Sequence, residues 1–332
     1  MKRKIAVYAI CKNEEAFAER WFSSMREADE IVVLDTGSED KTAETLRSLG
    51  AKVYEEKIGP WRFDEARNRA LSYVSKDMDI CVATDLDEVF SPGWRDALEN
   101  AWTDETRRAR FKYVWSFLPD GSEGTVLWLD KIHARHGYRW FYPVHEALMR
   151  EDHAFDAQSA YVNVPGMTLF HYPDNTKSRA QYLPLLELSV SENPTDARCL
   201  HYLGREYMYL SRWQDAIDTL EKHIALPGYV WPEEKCASYR YMARCLFNLG
   251  DHKRTEEMLL NALALCPHLR ESYCELAQMY YMKNQFALAA YFAACGLKIK
   301  TRPDAYMSES DAWNGQLEHV LQLSREALES GE

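Results

Sequence analysis

The sequence has little of what would mark a membrane-embedded, secreted or nucleic-acid-binding protein. No apolar run approaches the roughly 20 residues that a membrane-spanning helix needs. The first ten residues, MKRKIAVYAI, also lack the long apolar segment and small-residue cleavage site of a signal peptide. Positive charge is in the minority, with 40 Lys and Arg against 52 Asp and Glu and a formal net charge of −12. This balance disfavours broad binding to nucleic acid or anionic membrane, and we expect a soluble cytoplasmic protein.

Cysteine is present, but not in a spacing typical of metal or redox sites. None of the eight cysteines forms a CxxC pair, and most lie inside apolar runs, where cysteine behaves as a small buried side chain. We therefore expect reduced thiols and no zinc bound by cysteine.

The 332 residues are enough for two ordinary domains. The spacing of the apolar residues differs between the first and the second half of the chain. Up to about residue 90, short apolar runs alternate with amphipathic stretches, a pattern typical of βαβ units with parallel strands. The runs IAVYAI, EIVVLDT, AKVYEE and DICVATD predict strands. The stretches EEAFAERWFSSM, DKTAETLRSLG and FDEARNRALSYVSK predict helices, the second with Gly50 as its C-cap. Between residues 108 and 172, the runs RFKYVWSFL, TVLWLDKIHA, AYVNV and MTLFHY are expected to complete the sheet.

Internal repeats appear past residue 178, where the pattern becomes helical. Gly204, Ala243 and Ala277 are equivalent small residues. The last two are 277 − 243 = 34 residues apart, the period of a tetratricopeptide repeat, and the first two are 243 − 204 = 39 apart, one unit with a short insertion. A small residue at this position lets the two helices of a hairpin pack closely. We predict an α/β domain at 1–178 and a tetratricopeptide-like, all-α repeat domain at 179–332.

Carboxylates cluster where the fourth predicted strand ends, in VATDLDEVF. Asp85, Asp87 and Glu88 would repel one another unless a cation lies among them. Hard carboxylate oxygens suit Mg²⁺ or Mn²⁺, which also bind diphosphate oxygens. Ligands of open α/β sheets bind beyond the carboxyl ends of the strands, so residues 11–14, 35–38 and 85–88 should surround one crevice.

Four motifs make residues 4 to 95 resemble the family 2 glycosyltransferases of the GT-A fold. They are KNE after the first strand, DTGSEDKT after the second, FDEARN ahead of the fourth and DLDE after it. The resemblance implies a Rossmann-like mixed sheet that binds a nucleotide-diphosphate sugar, usually a UDP-sugar. The complete fold expected is an α/β GT-A domain followed by the helical repeats.

The resemblance assigns several residues to the nucleotide. The backbone near Ile10 and Cys11 would flank the base, with Glu14 on the same crevice, and Asp35 would accept a hydrogen bond from the uracil ring. Arg67 would lie near the base or the diphosphate; a solvated helix face is the alternative for it.

The resemblance also implies a divalent metal, Mn²⁺ or Mg²⁺. Asp87 would ligate it directly, and Asp85 would hold the ribose or a water on the metal, or ligate it as well. His171, in LFHYPD, would be the other protein ligand, and His133, with Arg135 or Arg139, would face the diphosphate. Glu88 is equally well explained as an acid at a helix N-terminus.

A second segment, GYRWFYPVHEALMR, resembles a stretch found in a subgroup of these enzymes. It makes Glu146 the candidate base for an inverting transfer, with a hydrogen bond to a sugar hydroxyl as the alternative. His145 would position donor or acceptor, or be a half-buried structural histidine. Trp140 and Tyr142 are expected to pack, with stacking on a sugar as the alternative.

The sequence therefore predicts a metal-dependent inverting glycosyltransferase, with a peptide, protein or saccharide acceptor held near the repeats. The alternative is a binding or scaffold protein whose transferase half is vestigial. For the repeats themselves, the alternative to holding an acceptor or partner is that they only stabilise the catalytic half or form a homodimer face. A hydroxylated DNA base is a further acceptor, disfavoured by the acidic balance. A sugar nucleotidyltransferase would need a glycine-rich first loop, and AICKNEEAFAE contains no glycine.

Overall fold

The computed structural model describes residues 2–154, 156–157, 160–174, 180–228, 231–303 and 308–330. The chain divides into two units, residues 1–179 and 180–332. The boundary predicted between residues 178 and 179 lies outside the described residues.

An eight-stranded mixed sheet organises the N-terminal unit, in the strand order β3-β2-β1-β4-β7-β6-β10-β5, and β8 and β9 form a separate hairpin. The elements are β1 (Ile5–Cys11), α1 (Glu15–Met25), β2 (Glu30–Asp35), α2 (Thr42–Leu49), β3 (Lys52–Glu55), α3 (Phe63–Tyr73), β4 (Ile80–Thr84), β5 (Glu88–Phe90), α4 (Trp94–Ala101), β6 (Arg108–Val114), β7 (Val126–Ala134), β8 (Tyr138–Phe141), β9 (Ala147–Arg150) and β10 (Tyr161–His171). The predicted GT-A-like mixed sheet is confirmed.

Both faces of the sheet are covered, which explains why its central strands read as continuous apolar runs. Every residue of β1, β2 and β4 is buried. One core packs α1, α2 and α4 on the sheet, and a second core packs α3 and the β8–β9 hairpin on the opposite face. The C-cap predicted at Gly50 is confirmed, since this residue ends α2 in the left-handed region with φ of 112°.

The carboxyl ends of the parallel strands meet at one edge of the sheet. In register, Cys11 of β1 lies beside Asp35 of β2, and β4 runs parallel to β1. The loops that follow β1 and β2 are joined by side chains: the Asn13 amide donates to Ser38 Oγ at 2.8 Å, and the Glu14 amide donates to Thr42 Oγ1 at 2.7 Å. The motifs KNE and DTGSEDKT therefore form one linked rim.

Strand β7 contains an extra residue that changes which side chains face each core. Ala109 of β6 pairs with Ile132 and Phe111 pairs with Leu129, so β7 advances three residues where β6 advances two. Leu129 and Ile132 consequently pack on the same core despite their opposite parity. Such a bulge re-aims the side chains beside it, here Asp130 and Lys131.

Two parts of the sheet differ from the expectation. The runs AYVNV and MTLFHY form one strand, β10, because a register shift between Val164 and Thr168 lets pairing with β6 continue past Pro165 and Gly166. Strand β5 and the β8–β9 hairpin were not predicted, since they are only three or four residues long.

Helix hairpins build the C-terminal unit. Its helices are α5 (Tyr182–Glu192), α6 (Ala197–Tyr209), α7 (Trp213–Ala225), α8 (Pro232–Asn248), α9 (His252–Leu265), α10 (Arg270–Met282), α11 (Phe286–Gly296) and α12 (Gln316–Ser330). The predicted small residues Gly204, Ala243 and Ala277 lie in α6, α8 and α10, the first helices of successive hairpins. The predicted all-helical fold of this unit is confirmed, and its hairpins are consistent with tetratricopeptide repeats. No helix in the described part of the chain is both long and apolar enough to cross a membrane.

Candidate active site

An arginine on α3 holds two of the predicted acids together. Arg67 Nη2 donates to Asp85 Oδ1 at 2.8 Å, and its Nε donates to Glu146 Oε1. The next residue, Asn68, accepts from the Trp140 amide and donates to the Trp140 carbonyl, both at 2.8 Å. The ARN motif of α3 thus contacts this part of the chain twice. Asn68 holds β8, the strand that precedes Glu146, and Arg67 binds Glu146 itself.

A lysine on β7 supplies the second cation. Lys131 Nζ lies 3.0 Å from Asp85 Oδ2 and 2.9 Å from Glu88 Oε1. Burial alone would raise the pKa of Asp85, but the attraction of Arg67 and Lys131 is stronger and holds that pKa below its ordinary value. Both Asp85 oxygens are therefore engaged by cations.

Glu88 is an internal acid of the site. Its side chain is 1% exposed, accepts from the Asp85 amide and from Tyr113 Oη, each at 2.9 Å, and pairs with Lys131. Burial raises the pKa of Glu88 against the pull of Lys131. These bonds fix the turn that carries Asp85 and Asp87. Glu88 begins β5, so the alternative of an acid at a helix N-terminus does not apply.

Asp87 and His171 approach each other at the carboxyl edge. Asp87 Oδ2 lies 3.3 Å from His171 Nε2, and the Tyr172 amide donates to the Asp87 carbonyl at 2.8 Å. The other ring nitrogen, His171 Nδ1, lies 3.1 Å from the Trp115 carbonyl, which directs Nε2 toward Asp87. Burial acts to lower the pKa of His171, but the Asp87 carboxylate outweighs it and raises that pKa.

This pair fits a divalent metal by its chemistry and spacing. Neighbouring ligands on one ion with bonds of about 2.1 Å lie roughly 3 Å apart, close to the observed 3.3 Å. A histidine whose second nitrogen is bound to a carbonyl has the orientation that metal-ligating histidines adopt. Asp85 fits this role less well, because direct ligation would have to displace Arg67 or Lys131.

The formal charges of the site sum to a negative value, which a bound cation would offset. Four carboxylates (Asp85, Asp87, Glu88 and Glu146) face two permanently charged bases, Arg67 and Lys131, which leaves 4 − 2 = 2 negative charges. His171 can offset part of this excess only when protonated.

The residues predicted for the nucleotide line the rim formed by β1 and β2. Asp35 Oδ1 accepts from the Gly37 and Ser38 amides at 2.8 and 2.7 Å, and its Oδ2 lies 3.7 Å from the Cys11 thiol. Ile10, Cys11, Glu14 and Asp35 are all buried. Asp35 therefore shapes the turn after β2, and Oδ2 is its less strongly engaged oxygen.

His133 does not reach the crevice, contrary to the expectation that it faces a diphosphate. Its side chain is 0% exposed, and burial lowers its pKa to about 3. Trp140 Nε1 donates to Tyr8 Oη at 2.7 Å, Tyr8 Oη lies 2.9 Å from His133 Nε2, and His133 Nδ1 lies 2.8 Å from the Ala134 carbonyl. Its position in the centre of the sheet makes His133 a structural group.

Some of the remaining candidates also lie away from the acids, and others lie next to Glu146. Arg135 donates to the Val74 and Ser75 carbonyls, away from the acids, and Arg139 is exposed beside Phe141. Trp140 packs in the core, as expected.

Tyr142 and His145 both have positive φ, 78° and 50°, in the loop that ends at Glu146. Such conformations are strained for residues with a side chain and concentrate at functional sites.

Lys131, Tyr113 and Asn68 complete the site without having been predicted. In the sequence, Lys131 could have been noticed as a lysine inside a nine-residue strand. Asn68 could have been noticed as the last residue of the ARN motif. The bulge that aims Lys131 leaves no mark in the alternation of the sequence.

Comparison with known proteins finds similarity over the N-terminal part of the chain. Residues 6–146 match the family model described as glycosyl transferase family 2. A glycosyltransferase of Rickettsia bellii is 32% identical over 119 residues, and one of Rickettsia typhi is 33% identical over 118 residues; both are described as uncharacterized. These alignments cover 36% and 35% of this chain, which spans 39% of the length of each relative.

Two solved structures are similar to part of the chain. Glucosyl-3-phosphoglycerate synthase from Mycobacterium tuberculosis, in complex with Mg²⁺ and uridine diphosphate, is 28% identical, covering 33% of this chain and 44% of that one, with a TM-score of 0.28. MamA is 17% identical, covering 48% of this chain and 98% of that one, with a TM-score of 0.33. By the family model and the curated relatives, residues 6–146 are similar to glycosyl transferase family 2.

Proposed function

We propose that the chain is a metal-dependent inverting glycosyltransferase that moves a sugar from a nucleotide-diphosphate donor, a UDP-sugar, to a nucleophile on a peptide, protein or saccharide. The observation that carries this proposal is the meeting of Asp87 with His171 beside the Arg67-centred ion pairs. Stability alone does not account for this set, because replacing buried ion pairs by well-packed apolar residues is often neutral or stabilising.

Asp87 and His171 are the residues that would hold the metal. A divalent ion bound there would neutralise the charge that develops on the departing diphosphate. Asp87 Oδ1 has no hydrogen-bond partner among the described residues, so this carboxylate retains an oxygen for a ligand.

Arg67 is the residue best suited to an anionic donor. Its Nη1 is buried and has no hydrogen-bond partner in the described part of the chain. A buried, unsatisfied N–H is costly, and a phosphate oxygen would satisfy it with a charge-assisted bond. Arg67 would thereby connect donor binding to Glu146, which it already holds.

Glu146 is suited to act as the base. Its Oε1 is bound by Arg67, while Oε2 has no partner among the described residues. In the reaction, Oε2 would take the proton of the acceptor nucleophile as this attacks the anomeric carbon on the face opposite the departing nucleotide. The Arg67 bond keeps Glu146 oriented for that proton.

Thermal denaturation with UDP, GDP, CDP and dTDP, each with and without Mn²⁺, tests the donor and the metal together. Binding to the folded state raises the midpoint by mass action, with about 2.7 kcal/mol of stabilisation at a ligand concentration 100 times Kd. We expect a shift with UDP that depends on Mn²⁺. A folded protein that responds to no nucleotide would overturn the proposal in favour of a repeat scaffold.

Asp87→Asn separates the metal role from the fold. The change keeps size and removes the charge, so we expect the Mn²⁺-dependent part of UDP binding to disappear while the midpoint without ligand stays close to that of the wild type. Asp96→Asn, at an exposed position in α4, is the matched control and should bind like the wild type. Retention of Mn²⁺-dependent binding by Asp87→Asn would remove Asp87 from the ligand set.

A further inference from the structure

A second polar cluster lies deep in the C-terminal unit, on three successive helices. His201 is on α6, His223 on α7, and Glu234 and Ser238 are on α8. Their exposed fractions are 0%, 0%, 1% and 0%. One ligand atom from each of His201, His223 and Glu234 lies within 4.8 Å of the others.

The orientation of the two imidazoles is set by one hydroxyl. Ser238 Oγ lies 2.8 Å from His201 Nδ1 and 2.9 Å from His223 Nδ1. Because both Nδ1 atoms face Ser238, both Nε2 atoms lie on the opposite edges of their rings. His223 Nε2 is 3.5 Å from Glu234 Oε1.

This orientation is the one that metal-ligating histidines require. Such histidines bind through one nitrogen and donate the other N–H to a neighbouring oxygen. A serine oxygen has two lone pairs and can accept from both Nδ1–H groups at once. In that protonation state each Nε2 carries a lone pair that a cation can share, and Glu234 Oε1 lies 3.5 Å from the Nε2 of His223.

The charge and chemistry of the cluster match zinc. Two imidazoles and one carboxylate are a donor set found in zinc proteins. The negative charge of Glu234 would attract a cation, whereas the positive charges of Arg198 and Arg205, which also act on His201, would oppose one.

We propose that His201, His223 and Glu234 bind one zinc ion, with Ser238 orienting both imidazoles. Zinc bonds of about 2.0–2.1 Å in a tetrahedral shell separate ligand atoms by roughly 3.4 Å, so the atoms would close by on the order of 1 Å from their present limit of 4.8 Å. Three protein ligands leave the fourth tetrahedral position to a water molecule, and the ion would tie α6 and α7 to α8. The ion would hold the first two hairpins of the repeat array together.

Metal analysis of the purified full-length chain tests the site directly. We use the Asp87→Asn background, so that zinc cannot be retained through Asp87, and then remove bound metal with a chelator. Titration with zinc alone should restore one equivalent per chain and raise the thermal midpoint by on the order of 5 °C at a hundredfold excess over Kd. Absence of tight zinc, together with an unchanged midpoint, overturns the proposal.

Two variants and one control locate the bound ion. Glu234→Gln and His223→Gln should each lose the stoichiometric zinc and the midpoint shift, while His268→Gln, an exposed histidine of the same unit, keeps both. The Glu234→Gln change preserves shape, and circular dichroism reports whether it has folded. A folded Glu234→Gln protein that retains the zinc would overturn the assignment.

Cobalt provides a readout that does not depend on stability. Co²⁺ in a low-symmetry tetrahedral site gives intense visible absorption bands, whereas octahedral Co²⁺ gives weak ones. We expect the intense bands in the Asp87→Asn protein and their loss in Glu234→Gln. Only weak bands in the Asp87→Asn protein would contradict a site made by these three side chains. None of these measurements depends on glycosyl transfer, so their outcome is independent of the proposed activity.

Discussion

At the scale of single residues, the acids of the site are chemically similar but differ in the side chains that they contact. Asp85 has both oxygens on cations, Glu146 has one oxygen on a cation, and Asp87 faces an imidazole. The same carboxylate group thus becomes an anchor for the cations, a candidate base and a candidate metal ligand. Spacing along the sequence does not distinguish these roles, because they depend on side chains from α3, β7 and β10.

Glu146→Gln should separate donor binding from transfer. The amide oxygen can still accept from Arg67, but the group can no longer take a proton. We expect UDP binding to be unchanged and the rate of transfer to fall by roughly 10²- to 10⁴-fold. Steady-state kinetics alongside nucleotide titration measure both quantities.

The matched control for this change is Glu151→Gln, an exposed glutamate just beyond β9. Its transfer rate should equal that of the wild type. If Glu146→Gln also transferred at the wild-type rate, the base would have to be another group.

His133 should make the N-terminal unit sensitive to mild acid. In the unfolded chain this histidine binds a proton near pH 6.5, whereas burial lowers its pKa to about 3 in the folded state. Its contribution to stability is therefore complete above pH 6.5 and is lost as the pH falls toward 3. The slope is about 1.4 kcal/mol per pH unit.

Urea unfolding of the wild type and His133→Gln between pH 5 and 7.5 measures this effect. The free-energy advantage of the wild type should shrink by about 1.4 kcal/mol per pH unit below pH 6.5. His136→Gln, at an exposed position, should follow the wild type. Parallel pH curves for the wild type and His133→Gln would mean that His133 titrates normally in the folded state.

At the scale of secondary-structure elements, two local features decide what the strands and helices present. The extra residue of β7 turns Lys131 toward Asp85 and Glu88. In the repeats, the absence of a side chain at Gly204 lets α7 approach α6. A Cβ built at Gly204 would lie 2.5 Å from Leu220 Cγ, well inside contact distance.

Gly204→Ala should destabilise the helical unit although alanine favours helices. The gain in helix propensity is about 1 kcal/mol, whereas overpacking a close contact costs about 1–3 kcal/mol. We expect a net loss on the order of 1 kcal/mol in the free energy of unfolding, measured by urea denaturation.

A double-mutant cycle checks the cause of this loss. In a Leu220→Ala background the added methyl group has room, so Gly204→Ala should become neutral or stabilising. A penalty that persists in this background would assign the effect to the backbone instead of to Leu220.

At the scale of the whole molecule, the two units carry two different candidate metal chemistries. The N-terminal unit offers an aspartate and a histidine at the sheet edge, and the C-terminal unit offers two histidines and a glutamate in its core. Hard-ligand Mn²⁺ or Mg²⁺ suits the first, and zinc suits the second.

Hydrogen exchange on the full-length chain can follow both at once. UDP with Mn²⁺ should slow exchange in peptides that cover residues 10–15, 35–42 and 82–90, where the three parallel strands end. Zinc alone should slow exchange in peptides that cover residues 197–240. Protection by UDP and Mn²⁺ confined to residues 197–240 would contradict the candidate active site.

The sequence by itself determined the features that depend on near neighbours along the chain. Alternating periods identified the strands of the first 90 residues, and the 34-residue spacing identified the helical repeats. These inferences worked because each rests on a local regularity. The motif at the end of the fourth strand and the family resemblance nominated Asp85, Asp87, Glu146 and His171, whose roles stay predictions.

Only the tertiary structure decided which of these groups share one environment. Strand order puts β7 between β4 and β6, and its bulge turns Lys131 into the site while His133, two residues on, is enclosed by Tyr8 and the sheet. The juxtaposition of His201, His223 and Glu234 likewise follows from helix packing. Register, bulges and helix packing arise from contacts between residues far apart in the chain, and a single sequence contains no periodic signal for them.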